Sequence, residues 1–305
     1  QGVEGILPNT LEHLTHLRTL DLSFNKIALI SSLHGLNYLN GLRELRLYNN
    51  ALKSLGGIEK RPGHSLKHLH VDHNKITEVN SIDVENLKCL YELSLSNNCL
   101  HSIKGLQKLR RTLPPLNLRN NKLTTATLKP LVSLMALESL DIASNNIKAV
   151  GDEIATLPNL KYLDISSNRL TNEGVKSLVR LKQLEVLHME NNRITSLYEA
   201  FGKGMKNLTE LYIATNRVSL CLNDKGKTPP ASYKSCFPKL DVLDLRNNRI
   251  ESLEELSLLK SFRSQLVGLS VEKNPFWLKY GPEKQKMKNK ILQSFPELFY
   301  LDGWK

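Results

Sequence analysis

Residues 17–27 read LRTLDLSFNKI, residues 137–147 read LESLDIASNNI and residues 240–250 read LDVLDLRNNRI. One frame, LxxLxLxxN, runs through all three. Its closing asparagine recurs at positions 25, 50, 74, 98, 121, 145, 168, 192, 216, 248 and 274, eleven times in 305 residues. The leucines that open the frame, from Leu17 to Leu266, follow one another at steps of 23 to 26 residues, apart from one step of 32 between Leu208 and Leu240. Self-similarity at such a period marks a stacked array, because no unit can bury its own apolar side without a neighbour.

We therefore expect one domain over 1–305, with a partial N-terminal repeat over 1–16 whose strand lies upstream, repeats over 17–274 and a cap over 275–305. The long step places an insertion within 217–239, where LNDKGKTPPASYKS has the composition of a surface loop. In each frame the two inner leucines, such as Leu20 and Leu22, alternate inward along a short strand. Successive strands then stack in parallel about 4.8 Å apart. The closing asparagine stands where the chain leaves the strand, and its amide can satisfy backbone groups that the turn would leave unpaired. Pro114 and Pro115 remove two backbone donors from the fifth frame, so the ladder should be weakened or bent there.

These residues resemble the leucine-rich-repeat family along nearly the whole chain. The resemblance implies an α/β solenoid, a horseshoe with a parallel concave sheet, about eleven repeats and a C-terminal helical cap. After Asn274, the run NPFWLKYGPEKQKMKNKILQSFPELFYLDGWK is similar to the terminal cap of intracellular members such as the protein phosphatase 1 regulatory subunit class, the spliceosomal repeat protein and axonemal dynein-associated repeat proteins. The matching positions are Asn274, Pro275, Tyr280, Ile291, Pro296, Leu298, Leu301, Asp302 and Gly303. A helix starting near Pro282 would set Met287, Ile291 and Phe295 on one stripe that covers the end of the core. RLTNEGVKSLVRL, at 169–181, instead has the look of the longer, more helical outer segments of ribonuclease-inhibitor-like repeats. What the resemblance implies for function is a protein-binding scaffold, without any specific phosphatase contact.

Composition narrows the setting. Apolar residues make up 40% of the chain, and no run approaches the roughly 18 apolar residues that a membrane span needs. No charged-then-apolar leader follows Gln1. The four cysteines, Cys89, Cys99, Cys221 and Cys236, form no CxxC framework, which points to a reducing compartment; a Cys221–Cys236 staple across the insertion is the alternative. The expected place is intracellular and cytoplasmic, with a cilium or axoneme suggested by the resemblance and the charge.

No glycine loop that could cradle phosphate and no recognisable Ser/His/Asp frame is present, so neither an enzyme nor a cofactor is expected. His68, His70 and Asp72 alternate on one face of one strand and could share an ion. No neighbouring strand clearly supplies a fourth ligand, and open positions tolerate any polar residue, so no metal is expected.

The third, fifth and seventh positions of each frame project from the sheet away from the core. Over eleven strands they form a surface about 50 Å long, suited to a protein segment. The candidate partner-binding residues there are Arg46, Tyr48, His68, His70, Asp141, Tyr162, Asp164, His188, Glu190, Glu210, Tyr212, Asp244 and Arg246. Tyrosines flanked by carboxylates suit a partner bearing Arg or Lys. These positions are mostly acidic, whereas the chain as a whole carries +12, which leaves a basic exterior that includes Lys279, Lys284, Lys286, Lys288 and Lys290. Such an exterior suits an acidic surface, tubulin among them. Nucleic acid is the poorer match, because no aromatic-and-basic stripe offers bases a place to stack. The rival readings are a regulatory subunit of an enzyme such as a protein phosphatase and a ribonucleoprotein component.

Overall fold

A computed structural model describes residues 2–58, 65–110, 113–221, 233–279 and 283–302. The chain forms two compact units, Gln1–Asn146 and Ile147–Lys305. In the first, six strands follow one another: β1 (Thr19–Asp21), β2 (Glu44–Arg46), β3 (His68–His70), β4 (Glu92–Ser94), β5 (Pro115–Asn117) and β6 (Ser139–Asp141). Each pairs in parallel with the next, so Leu20, Leu45, Leu69, Leu93, Leu116 and Leu140 stand in register. In the second unit the same order runs through β7 (Tyr162–Asp164), β8 (Val186–His188), β9 (Glu210–Tyr212), β10 (Val242–Asp244), β11 (Gly268–Ser270) and β12 (Tyr300–Leu301). Leu163, Leu187, Leu211, Leu243, Leu269 and Leu301 form its row. This is the expected solenoid ladder. From Leu42 onward the frame leucines of both units are buried, whereas Leu17, Leu20 and Leu22 are half-buried because β1 has a described neighbour on one side only.

The closing asparagines do the work foreseen for them. Asn192 donates through Nδ2 to the carbonyls of Ile165, Met189 and Glu190, each at 3.1 Å, while its Oδ1 accepts the Leu170 N–H at 2.9 Å. Asn74 and Asn121 repeat the pattern in the first unit. One amide thus bridges two successive repeats. The residue before each asparagine has a positive φ, from 51° at Asn191 to 59° at Lys273. Five of these residues are themselves asparagines (Asn49, Asn97, Asn120, Asn191 and Asn247), a side chain that tolerates the left-handed region.

The prolines leave a mark. At the neighbouring junctions two N–H groups converge on one carbonyl, as Tyr91 and Glu92 do on Lys67, whereas Pro114 and Pro115 have none to give. The β4–β5 register shrinks to Leu93↔Leu116 and Ser94↔Asn117.

Outer segments return the chain in short helices, including α1 (Ser81–Val84), α2 (Asp152–Ala155), α3 (Asn172–Val175), α4 (Leu197–Phe201) and α5 (Leu253–Leu256). α3 continues as a tighter helix over Lys176–Arg180, which agrees with the helical look of 169–181. Gly174 is required there, because a Cβ would overlap the Lys148 carbonyl. Near the C-terminus, α6 (Pro275–Lys279) precedes α7 (Lys284–Ser294), and Met287, Ile291 and Phe295 are all buried. Tyr280, Pro282 and Gly303 lie outside the described residues, as does 222–232 of the insertion. The neck of that insertion is held by Glu255, which accepts the Leu220 N–H at 3.0 Å, and by Tyr233, whose hydroxyl donates to the Leu220 carbonyl at 3.0 Å. Cys221 and Cys236 are free thiols, so no staple joins them.

Candidate functional site

In the first unit, Arg46 Nε donates to Glu44 Oε1 at 2.7 Å and its guanidinium lies 3.7 Å from Asp21. That hydrogen bond holds the Glu44 carboxyl below its ordinary range. His70 faces the same carboxylate at 3.8 Å. His68 turns to Glu92 instead, Nδ1 to Oε2 at 3.0 Å. Asp72 accepts the Ser96 N–H at 3.0 Å together with the hydroxyls of Ser94 and Ser96. The alternating trio therefore points at three different partners, and no group of His, Cys, Asp or Glu among the described residues is arranged to hold a metal.

Tyr48 meets Phe24 edge-on, with ring centroids 5.1 Å apart. Phe24 was missed by the sequence reading. It is 70% exposed at φ 58°, a region costly for a bulky side chain, and the available signal was an aromatic at a position where five other frames carry asparagine.

The second unit gathers most of the candidates. His188, on β8, is in register with Asp164 on β7 and Tyr212 on β9, and Tyr212 with Asp244 on β10. In-register parallel strands bring side chains of one face to about 4.8 Å, close enough for rings to stack. The rings of His188 and Tyr212 do so, at 4.2 Å and 5° from parallel. Tyr162 leans against the other side of His188 at 5.5 Å. Tyr212 donates its hydroxyl to Glu210 Oε2 at 2.8 Å, and His188 Nδ1 lies 3.2 Å from Glu190 Oε1. The result is a half-exposed Tyr–His–Tyr row with a glutamate on each flank.

Titration follows from this packing. Burial, then the Glu210 hydrogen bond, pushes the Tyr212 hydroxyl up to about 12. For His188, burial acts downward, but the hydrogen bond and charge of Glu190 and the charges of Asp164 and Glu210 outweigh it and raise the imidazole pKa.

The candidate aspartates Asp141, Asp164 and Asp244 also have backbone partners of their own. Asp164 and Asp244 are buried, and their Oδ1 atoms accept the N–H two residues on, from Ser166 at 2.9 Å and Arg246 at 3.0 Å. Asp141 does the same with Ala143 at 2.9 Å, and Asp21 with Ser23 at 3.0 Å. A side chain one methylene shorter than glutamate reaches its own strand end, so these carboxylates close the turn. Asp244 is further engaged by the Arg246 guanidinium at 2.5 Å.

A leucine-rich-repeat model matches residues 111–170, 136–194 and 158–218, and a second matches residues 13–28. Over these residues the chain carries leucine-rich repeats. Lumican of Gallus gallus is 35% identical over 121 residues, which span 38% of this chain and 34% of lumican. Acidic leucine-rich nuclear phosphoprotein 32 family member A of Drosophila melanogaster is 36% identical over 100 residues, 33% of each protein. The chain thus spans about a third of the length of these curated relatives. Among solved structures, an internalin from Listeria monocytogenes aligns over 96% of this chain and 88% of its own at 24% identity, with a TM-score of 0.60. A chain of the octameric complex of Latrophilin 3, Unc5D and FLRT2 aligns over 92% and 84% at 21% identity, with a TM-score of 0.68. Both show the same fold. Leucine-rich-repeat proteins act in general as non-enzymatic scaffolds for protein–protein interaction, and no catalytic family is indicated here. No helix among the described residues is long and apolar enough to cross a membrane.

Proposed function

We propose that this chain is a non-enzymatic adaptor that holds a protein partner on the exposed face of its strands, with the row of Tyr162, His188 and Tyr212 as the centre of contact. The observation that carries this reading is a set of rings presented on a sheet whose alternate residues, Leu163, Leu187 and Leu211, are fully buried. Tyrosine supplies contact area at low entropic cost, and interface hot spots favour it. The setting we propose is intracellular, in a ciliary or microtubule-associated assembly. It is supported by the similarity of the C-terminal run to axonemal members and by the +12 net charge, with tubulin as an acidic surface for the basic exterior.

The test is capture from extract of ciliated cells by the wild-type chain and by Tyr162→Ala/Tyr212→Ala, with circular dichroism to establish folding. Loss of specific partners from the folded double variant supports face docking, whereas an unchanged set of partners overturns it. Lys284→Glu/Lys288→Glu in a microtubule pelleting assay separates the exterior from the face.

A further inference from the structure

We infer that the Tyr162–His188–Tyr212 row is a docking site for an arginine side chain of a partner peptide, selective for arginine over lysine and released by acid. This rests on the face-docking reading above and names its chemistry. Four carboxylates of the second unit surround the row, but they are not equivalent. Asp164 is committed to the Ser166 N–H, and Asp244 to Arg246. Glu190 and Glu210 each spend one oxygen on a ring of the row, and Glu190 Oε2 is shielded from solvent with no hydrogen-bond partner. A guanidinium arriving at the row gains a charge-assisted hydrogen bond from the accessible edge of either glutamate.

The shape of the site selects the cation. A guanidinium is planar, weakly hydrated and able to lie against an aromatic face while its N–H groups reach a carboxylate beside it. An ammonium is a compact, strongly hydrated point charge and can satisfy only one of those demands at a time. Beside the row, Asp244 of β10 already holds a guanidinium, that of Arg246 two residues on, through Nε and Nη2. With Asp164 and Asp244 so engaged, Glu190 and Glu210 are the carboxylates left to meet a partner.

His188 makes the site proton-sensitive by position. It faces Tyr162 and Asp164 from β7, Glu210 and Tyr212 from β9, and Glu190 from its own strand segment. When protonated, its imidazolium takes the Glu190 charge for itself and sets a like charge beneath an incoming guanidinium. Binding then tightens as pH rises through the elevated imidazole pKa, the direction set by burial being outweighed by these carboxylates.

The experiment uses the full chain and labelled peptides of sequence GRGRG, GKGKG and the neutral citrulline analogue, measured by fluorescence anisotropy at pH 5.5 and pH 8. We expect the arginine peptide to bind about tenfold more tightly than the lysine peptide, and the citrulline peptide not to bind. We expect Glu190→Gln/Glu210→Gln and, separately, Tyr212→Leu to remove the preference, and His188→Gln to bind at both pH values alike. Lys284→Glu/Lys288→Glu on α7 is the control and should bind as wild type. Equal affinity for arginine and lysine peptides, or a wild-type response in folded Tyr212→Leu, overturns the arginine site. If partner capture still depends on Tyr162 and Tyr212 while that preference is absent, face docking stands and only this inference fails.

Discussion

The Asp164 carboxylate accepts the backbone N–H of Ser166 at 2.9 Å and is buried against its own strand end. A residue that looks like a partner-facing charge is therefore part of the turn. Asp164→Lys should cost about 2–4 kcal/mol, because a charge of the wrong sign is buried and the amide loses its acceptor. Asp164→Asn should cost far less, since Asn117 makes the same bond to Arg119 at 3.0 Å. Urea denaturation of the two variants decides the matter, and equal midpoints would refute it.

Asn192 offers a cleaner case. Replacing it by Ala removes an acceptor for Leu170 and a donor to three carbonyls, with an expected loss of about 2–4 kcal/mol. Asn192→Asp should not rescue, because a carboxylate cannot donate. A stable Asp variant near neutral pH would contradict this account of the ladder.

Ile291 and Leu292 are neighbours on α7 with opposite fates, 3% and 42% exposed. Ile291→Asp should lower stability by about 3 kcal/mol or more, and Leu292→Asp by less than about 0.5 kcal/mol. Thermal melts that rank them the other way would show that α7 covers nothing.

Asp302 should make stability depend on pH. Burial, opposed by N–H donors from Val271 at 2.6 Å and Glu272 at 2.9 Å, pushes its carboxyl up to about 6. The raised value means that the folded chain keeps a proton that the unfolded chain releases near pH 4. That stabilisation is full below about pH 4 and is lost as pH rises through about 6. Relative to Asp302→Asn, the wild type should lose about 1–2 kcal/mol between pH 4 and pH 7. Parallel stability profiles for the two proteins would exclude the mechanism.

Zinc gives a negative prediction. His68 is spent on Glu92 and Asp72 on Ser94 and Ser96, so calorimetric titration should find no tight site. A stoichiometric site abolished by His70→Ala would prove otherwise.

The ladder itself was readable because leucine spacing and the closing asparagine are enforced by burial, and burial leaves few substitutes at Leu45 or Asn121. The doubled asparagines at 49–50 and 97–98 also carried a message that was overlooked, since the first of each pair holds a positive φ. The backbone bonds of the aspartates were overlooked for a different reason. At Asp141 or Asp164 the sequence fixes the face of the strand but not whether a short side chain folds back on its own turn, a choice made by its side-chain torsions and the path of the turn. The His188–Tyr212 stack lay further out of reach, because it depends on the lateral register of two strands whose residues are 24 apart in sequence.

The junction of β4 and β5, thinned by Pro114 and Pro115, has a consequence for how the first unit comes apart. Parallel strands share load through their lateral hydrogen bonds, and a junction with fewer of them opens at lower cost than those on either side. In hydrogen–deuterium exchange the amides of β1 to β4 should therefore fall into one protection group and those of β5 and β6 into another. Pulled from its ends, the unit should part at Leu113 and its prolines, as a zip parts at a missing tooth.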